Sequence, residues 1–183
     1  MDFILLKCAP LIFPEYLLTM TQTNEQFPSA PFLRRFASWI YDFLTAVAIA
    51  MLATVVASIF TISIKSFGWI DISGYIDPAD YLQHSWVYKL YLIICLTSFF
   101  SYFWVKGGQT IGMRAWRLQV VNHQGEGISV KQAVIRFFAS LAGLGNLWVL
   151  VDWKNKQSLQ DYLAKTRTVV LTKEANKKVY REL

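Results

Sequence analysis

The feature that most constrains this chain is a run of 22 residues without a charge, from Phe43 to Ile64. At 1.5 Å per residue a helix of that length is about 33 Å long, enough to cross the hydrocarbon core of a bilayer. Arg34 and Arg35 precede this run and Lys65 follows it. The pattern therefore predicts a first membrane-spanning helix over about residues 36–64.

A second apolar run, from Trp86 to Val105, predicts a second span over about residues 86–105. Its single charged residue, Lys89, lies near the start of the run, where the ammonium group can reach the membrane surface. Of the 183 residues, 55% are hydrophobic and 16% are charged. Because soluble domains carry about 25% charged residues, the composition indicates an integral membrane protein.

The charges that flank the spans predict an orientation, because basic residues mark the cytoplasmic side of bacterial membranes. The loop between the spans contains three acids, Asp71, Asp77 and Asp80, and no Lys or Arg. The segments before the first span and after the second are rich in Lys and Arg. We expect a multi-pass protein of the bacterial inner (cytoplasmic) membrane with its N-terminus in the cytoplasm.

The carboxyl third admits two interpretations, a third span or a re-entrant helical hairpin over about residues 132–152. We favour the hairpin, bent at Gly143–Asn146, because a third crossing would place the basic tail, residues 173–183, outside. The alternating segments Trp116–Val121 and Thr166–Leu171 point the same way, since two short strands gain stability by sharing one sheet. After the first of them, Asn122–Gly125 predicts a hairpin turn.

The predicted fold class is therefore an all-α membrane protein. It has two transmembrane helices, a re-entrant hairpin (or third span) and a small cytoplasmic β element. We divide the chain into an N-terminal segment (1–31), a membrane domain (32–172) and the basic tail. Within the first segment, a polar stretch begins at Met20, and we expect Met20 to be the true start of translation. The alternative is that residues 1–19 form a short segment at the membrane surface.

The sequence contains no convincing catalytic, metal or nucleotide motif. Cys8 and Cys95 lack a CxxC spacing, and His84 and His123 stand alone in predicted loops. The glycine-rich run Gly107–Gly112 matches neither a dinucleotide fingerprint nor a P-loop. We therefore expect no enzyme activity, no cofactor, no metal and no nucleic-acid partner. The expected partners are anionic lipid headgroups at the basic tail, and a second copy of the chain or another membrane protein.

Three blocks of sequence carry a resemblance to a known family: Arg35–Asp42, then Gly108–Gly112 with Arg117–Val121, then Gln157–Thr166. In this order they resemble the RDD family of small bacterial membrane proteins, over about Pro31 to Leu171. The resemblance implies that the name-giving arginine and aspartates are Arg35, Asp42 and Asp161. Gln160 stands where the family usually has His, and Lys165 stands where Gly is common.

The glycine-rich block, Gly108–Gly112, has a purely structural interpretation. We expect a tight turn at the end of the second span, built on Gly108, Thr110 and Gly112, with Thr110 capping a short helix.

Asp42 is the main candidate for a functional residue, because an ionisable acid within a membrane span is costly and often marks a functional site. One hypothesis is a structural ionic lock, in which Asp42 pairs with Arg34, Arg35 or Arg136 and Asp161 ties the cytoplasmic tail beneath it. The other is an ion or proton site made by Asp42 and Asp152, helped by Asn146. Some members of the family are described as sodium/proton antiporters, which would imply monovalent cation/proton transport by an oligomer. The alternative is a non-catalytic membrane scaffold or accessory protein.

Overall fold

The computed structural model describes residues 27–152 and 156–181. Its elements, in chain order, are α1 (Phe32–Ser66), α2 (Pro78–His84), α3 (Trp86–Gly107), α4 (Ile111–Ala115), β1 (Leu118–Asn122), α5 (Val130–Ala139), a 3₁₀ helix (Leu141–Leu147), α6 (Trp148–Val151), α7 (Leu159–Leu163), β2 (Thr166–Val170) and α8 (Lys173–Arg181). The expectation that Met20 is the true start falls outside the described residues.

The helices α1 and α3 are both long and apolar enough to cross a membrane, in agreement with the two predicted spans. They pack against each other, and the hydroxyls of Thr54 and Tyr88 share a hydrogen bond of 2.6 Å between them. Large apolar side chains project outward along α1, with Met51 65% exposed and Phe60 65% exposed. Such a surface is unusual in water and is suited to lipid or to another apolar partner.

The chain reverses sharply where α3 ends, at Gly108. This residue has φ +67°, the left-handed region that favours glycine, and its N–H donates to the carbonyl of Trp104 over 2.9 Å. A Cβ atom at Gly108 would lie 2.7 Å from the carbonyl oxygen of Val120. Gly108 therefore ends the second span and lets β1 pass directly beneath it.

The loop between the spans is more ordered than its glycines and acids suggest. We predicted a loop throughout, but α2 forms within it, with Pro78 in its first turn. Asp77 caps this helix by accepting a hydrogen bond of 2.8 Å from the backbone N–H of Asp80. Proline is well suited to a first helical turn, so Pro78 starts a helix here and does not mark irregular structure.

The strands β1 and β2 form one antiparallel sheet, with Leu118 opposite Val170 and Asn122 opposite Thr166. This confirms that the two alternating segments share a sheet. The predicted turn at Asn122–Gly125 also forms, with the Gly125 N–H donating to the Asn122 carbonyl over 3.1 Å. In the described part of the chain, however, the strand that pairs with β1 is β2, which comes more than 40 positions later.

The start of α1 and the end of α3 both meet this sheet. The Ala30 N–H donates to the Thr168 carbonyl over 2.9 Å, and the Val120 N–H donates to the Gly108 carbonyl over 2.8 Å. A buried apolar cluster joins the parts, comprising Ala30, Met113, Leu118, Val120, Ile128 and Ala133. We call the side of the two spans on which the sheet lies the sheet side.

The carboxyl third starts and ends next to the sheet. The helix α5 begins with a capping box, in which Ser129 and Gln132 bond reciprocally. With 10 residues it is about 15 Å long, half the thickness of a bilayer core. The segments Val130–Ala139 and Gly143–Val151 meet at an angle of 87°, so the bend lies at residues 140–142, just before the predicted Gly143–Asn146. Beyond them, α7 packs against both α5 and β2.

The basic tail is a helix that packs on the sheet. Ala175 and Val179 of α8 contact an apolar patch on the second face of the sheet, formed by Val121, Val169 and Leu171. Asn176 accepts a hydrogen bond of 2.8 Å from the buried amide of Gln109. The start of α1, the sheet and α8 therefore all lie on the sheet side.

Candidate functional site

The carboxylate of Asp161 lies at the centre of the most polar buried cluster. Its Oδ2 accepts from Arg35 Nη1 over 2.6 Å and from the Ser158 N–H over 3.3 Å. Its Oδ1 accepts from Arg136 Nη1 over 2.6 Å and from the Thr168 hydroxyl over 3.0 Å. A carboxylate offers about four lone-pair sites, so these four donors saturate Asp161.

The guanidinium of Arg35 is equally well satisfied. Its five N–H groups meet five acceptors: the carbonyl of Ala30 at 2.9 Å, the Ser158 hydroxyl at 3.1 Å, Asp161, the carbonyl of Lys156 at 3.0 Å and that of Thr168 at 3.4 Å. These acceptors come from the segment before α1, the segment before α7, α7 itself and β2. One side chain at the start of the first span thus holds four separate parts of the chain.

Arg136 approaches Asp161 from the other side, on the last turn of α5. Besides Asp161, it donates to the hydroxyls of Thr166 and Thr168. Its guanidinium lies over the ring of Trp104, 5.6 Å from the ring centre, a cation–π contact with the second span. Arg136 therefore joins α3, α5, α7 and β2 at one point.

We call Arg35, Asp161 and Arg136 the triad. They are 4%, 1% and 3% exposed, respectively. Burial by itself raises the pKa of the Asp161 carboxyl, but the positive charges of Arg35 and Arg136 outweigh that effect and hold the pKa well below its usual range. The carboxylate is therefore ionised at every physiological pH, and removing it would leave two buried positive charges unpaired.

Asp42 does not take part in this cluster. Its Oδ2 accepts from the Thr110 hydroxyl over 2.6 Å and its Oδ1 accepts from the Gly112 N–H over 2.9 Å. Within the described part of the chain, no Lys or Arg lies within ion-pair distance of it. The predicted pairing with an arginine is therefore wrong. Side chains on a helix lean toward its N-terminus, so Arg35, two turns before Asp42, reaches away from it.

The predicted turn of Gly108, Thr110 and Gly112 is what holds Asp42. As predicted, Thr110 caps the short helix α4, accepting from the Met113 N–H over 3.2 Å. A Cβ atom on Gly112 would collide with the carbonyl oxygen of Ser38 and with the Asp42 carboxyl. Gly112 is thus the point where α4 touches α1, and only glycine lets the two backbones come so close.

The three residues of the hypothetical ion site are only partly brought together. Asp42 and Asn146 line one half-open cavity of about 470 Å³, whose wall includes residues of α1, α3, α5 and the 3₁₀ helix. The Asn146 side-chain oxygen accepts from the amide of Gln160 over 2.7 Å. Asp152 follows α6 and is absent from the described cavity lining. The ion site stays a prediction, with Asp42 and Asn146 as its remaining pair.

Sequence reasoning missed the partnership of Arg136 with Asp161, and with it the hydroxyls of Thr166 and Thr168. One signal was present, because Arg136 is the only charged residue in the apolar run from Ala133 to Val151. A lone arginine in such a run needs a buried acid, and the acid proved to be Asp161.

The comparisons with known proteins agree with the sequence resemblance. Residues 29–165 match the model of the RDD family. No curated protein and no solved structure is similar enough to count as a match. Because the family match covers most of the chain, the predicted resemblance is confirmed, and this protein belongs to the RDD family.

Proposed function

We propose that this protein is a non-catalytic membrane scaffold or accessory protein, in which the name-giving Arg35 and Asp161 are structural. The observation that carries this proposal is the saturation of Arg35 and Asp161. Asp161 accepts from four donors and Arg35 donates to five acceptors. Groups that are fully bonded inside the protein have no capacity left for a substrate or a transported ion. Their role is to clamp the sheet to the membrane helices.

We infer that the sheet side is the cytoplasmic side of a bacterial inner membrane. Arg34, Arg35 and Lys106 lie at the ends of the spans on the sheet side, while the loop on the opposite side contains Asp71, Asp77 and Asp80.

We also infer that Val130–Val151 enters the membrane and returns. The short α5, the 87° bend and the position of α7 beside α5 and β2 support this arrangement.

The scaffold would act through its surfaces. The outward apolar side chains of α1 are suited to a second copy or to another membrane protein. Lys177 and Lys178 are exposed on α8, which suits anionic headgroups at the membrane surface.

Asp42 supports a second candidate, monovalent cation/proton exchange by an oligomer. It is an acid on a membrane helix, it has no cationic partner among the described residues, and it lines the cavity together with Asn146. A group that exchanges a proton for a cation needs these properties. Two membrane-spanning helices are too few to line an alternating-access pathway, so this function would require an oligomer of several copies.

Proton flux driven by Na⁺, K⁺ or Li⁺ in vesicles of the purified protein distinguishes the two functions. The proposal predicts that the wild type, Asp42→Asn and the control Asp71→Asn, an exposed acid in the opposite loop, all give the flux of protein-free vesicles. Cation-dependent flux that Asp42→Asn abolishes and Asp71→Asn preserves, with both variants folded, would overturn the scaffold in favour of exchange.

A further inference from the structure

The half-open cavity lined by Asp42 and Asn146 is polar at one end and apolar at the other. Near the sheet its wall contains Arg35, Arg136, Gln160 and Thr168. Ala46 lies 11 positions after Arg35 on α1, about 16 Å deeper along the helix axis, and belongs to the apolar end. This end is completed by Phe43, Leu96, Phe100 and Phe137. The polarity changes along the same direction as in one leaflet of a bilayer, with the polar end on the sheet side.

Two buried donors at the polar end have no acceptor in the described part of the chain, namely Arg136 Nε and Trp104 Nε1. Both residues line the cavity, and Arg136 is only 3% exposed. Buried donors are rarely left without an acceptor, because an unmade hydrogen bond costs about 1–3 kcal/mol. The neighbouring Gln160 oxygen is also buried without a partner.

The charge at this end favours an anion. The triad contains two arginines and one carboxylate, so one positive charge is not neutralised within it. Asp42 is the only acid in the described cavity lining, but it lies two helical turns beyond Arg35 on α1, about 10 Å along the axis, and is within ion-pair distance of neither arginine. An anionic oxygen would therefore be attracted to Arg136 and would accept from it a charge-assisted hydrogen bond.

We propose that this cavity binds one anionic membrane phospholipid, with a headgroup oxygen on Arg136 and Trp104 and one acyl chain between α1 and α3. Its volume of about 470 Å³ lies in the range typical of small-molecule sites, roughly 300–1,000 Å³. The apolar end lies between two helices able to span the bilayer, so an acyl chain is the occupant that the surroundings supply.

The test uses the full-length protein in nanodiscs made of equal parts phosphatidylglycerol and phosphatidylcholine, followed by native mass spectrometry of the released protein. We expect one retained phosphatidylglycerol per protomer, preferred over phosphatidylcholine by about tenfold, because the choline cation of the latter is repelled by the two arginines. Trp104→Phe keeps the ring beneath Arg136 and removes its donor, and we expect it to reduce the retention of phosphatidylglycerol about fivefold.

A matched pair of variants tests the site proposed for the acyl chain. Ala46→Trp fills the apolar end and should abolish retention, whereas Ala48→Trp, exposed on the same helix and outside the described lining, should preserve it. Equal retention of the two lipids by the wild type would overturn the proposal, and so would displacement of the lipid by inorganic phosphate. If Ala46→Trp fails to fold, Trp104→Phe decides: unchanged retention of phosphatidylglycerol contradicts the assignment.

Discussion

Arg35 and Asp161 are separated by 126 positions in the chain, yet their side chains lie 2.6 Å apart. Arg35 belongs to the first turn of α1, and Asp161 belongs to α7, just before the second strand. Arg136 contacts the other carboxylate oxygen at the same distance, 2.6 Å. These two contacts connect the first span, the bent segment and the sheet through one carboxylate, and they give the family's signature a structural meaning.

Gly112→Ala should destabilise the protein by about 1–3 kcal/mol, because the new methyl group would collide with the Ser38 carbonyl and the Asp42 carboxyl. The measurement is the free energy of unfolding in mixed detergent micelles. The matched control is Gly127→Ala, where an added Cβ meets nothing within 4 Å, so the change should stay within about 0.5 kcal/mol. Equal effects of the two substitutions would refute the close contact between α4 and α1.

Lys165→Gly should stabilise the protein. Lys165 has φ +53°, a left-handed conformation that costs a side-chain-bearing residue about 1–2 kcal/mol, of which the greater flexibility of an unfolded glycine cancels about half. We expect a gain of about 0.5–1 kcal/mol by thermal or detergent unfolding. Lys131→Gly, on the exposed surface of α5, is the control and should cost about 1 kcal/mol. A loss of stability at Lys165 would contradict the strained turn.

The triad predicts a specific loss of stability in acid. Because Arg35 and Arg136 lower the pKa of Asp161 in the folded state, its ion pairs stabilise the fold above the unfolded pKa of about 3.9, and this contribution is lost as the pH falls toward the folded value. The free energy of unfolding should therefore fall more steeply below about pH 4 in the wild type than in Asp161→Asn. Parallel curves for the two proteins would exclude the paired carboxylate.

The topology can be read from the labelling of single cysteines, introduced after replacing Cys8 and Cys95. In sealed vesicles, a membrane-impermeant maleimide should label Gln124→Cys and Lys178→Cys from one side and Ser73→Cys from the other. All three positions are exposed, and the first two lie on the sheet side. Labelling of Lys178→Cys and Ser73→Cys from the same side would mean that Val130–Val151 crosses the membrane a third time.

The spans were predictable because their signal is local: an uncharged run of 22 residues has few other stable environments. The pairing of β1 with β2 was also predictable, since both segments alternate and neither is stable alone.

The triad was not predictable in the same way. Its members come from α1, α5 and α7, and nothing in the spacing of the sequence indicates that α5 bends back to bring Arg136 onto Asp161. The partner of Asp42 was missed for a related reason. The glycine-rich turn could be expected to end the span and to cap α4, but its contact with α1 depends on how two helices pack.

The structural role of the Arg35–Asp161 pair is tested most directly by a double-mutant cycle of Arg35→Gln and Asp161→Asn, measured as free energies of unfolding. Asp161→Asn should cost about 3–5 kcal/mol, since it leaves two buried arginines without their acid. Arg35→Gln should cost less, because Asp161 keeps its ion pair with Arg136. The double variant should be at least about 2 kcal/mol more stable than the sum of the two losses predicts. The control cycle of Arg34→Gln with Asp161→Asn should be additive. Additivity of Arg35 and Asp161 within about 0.5 kcal/mol would contradict the structural clamp.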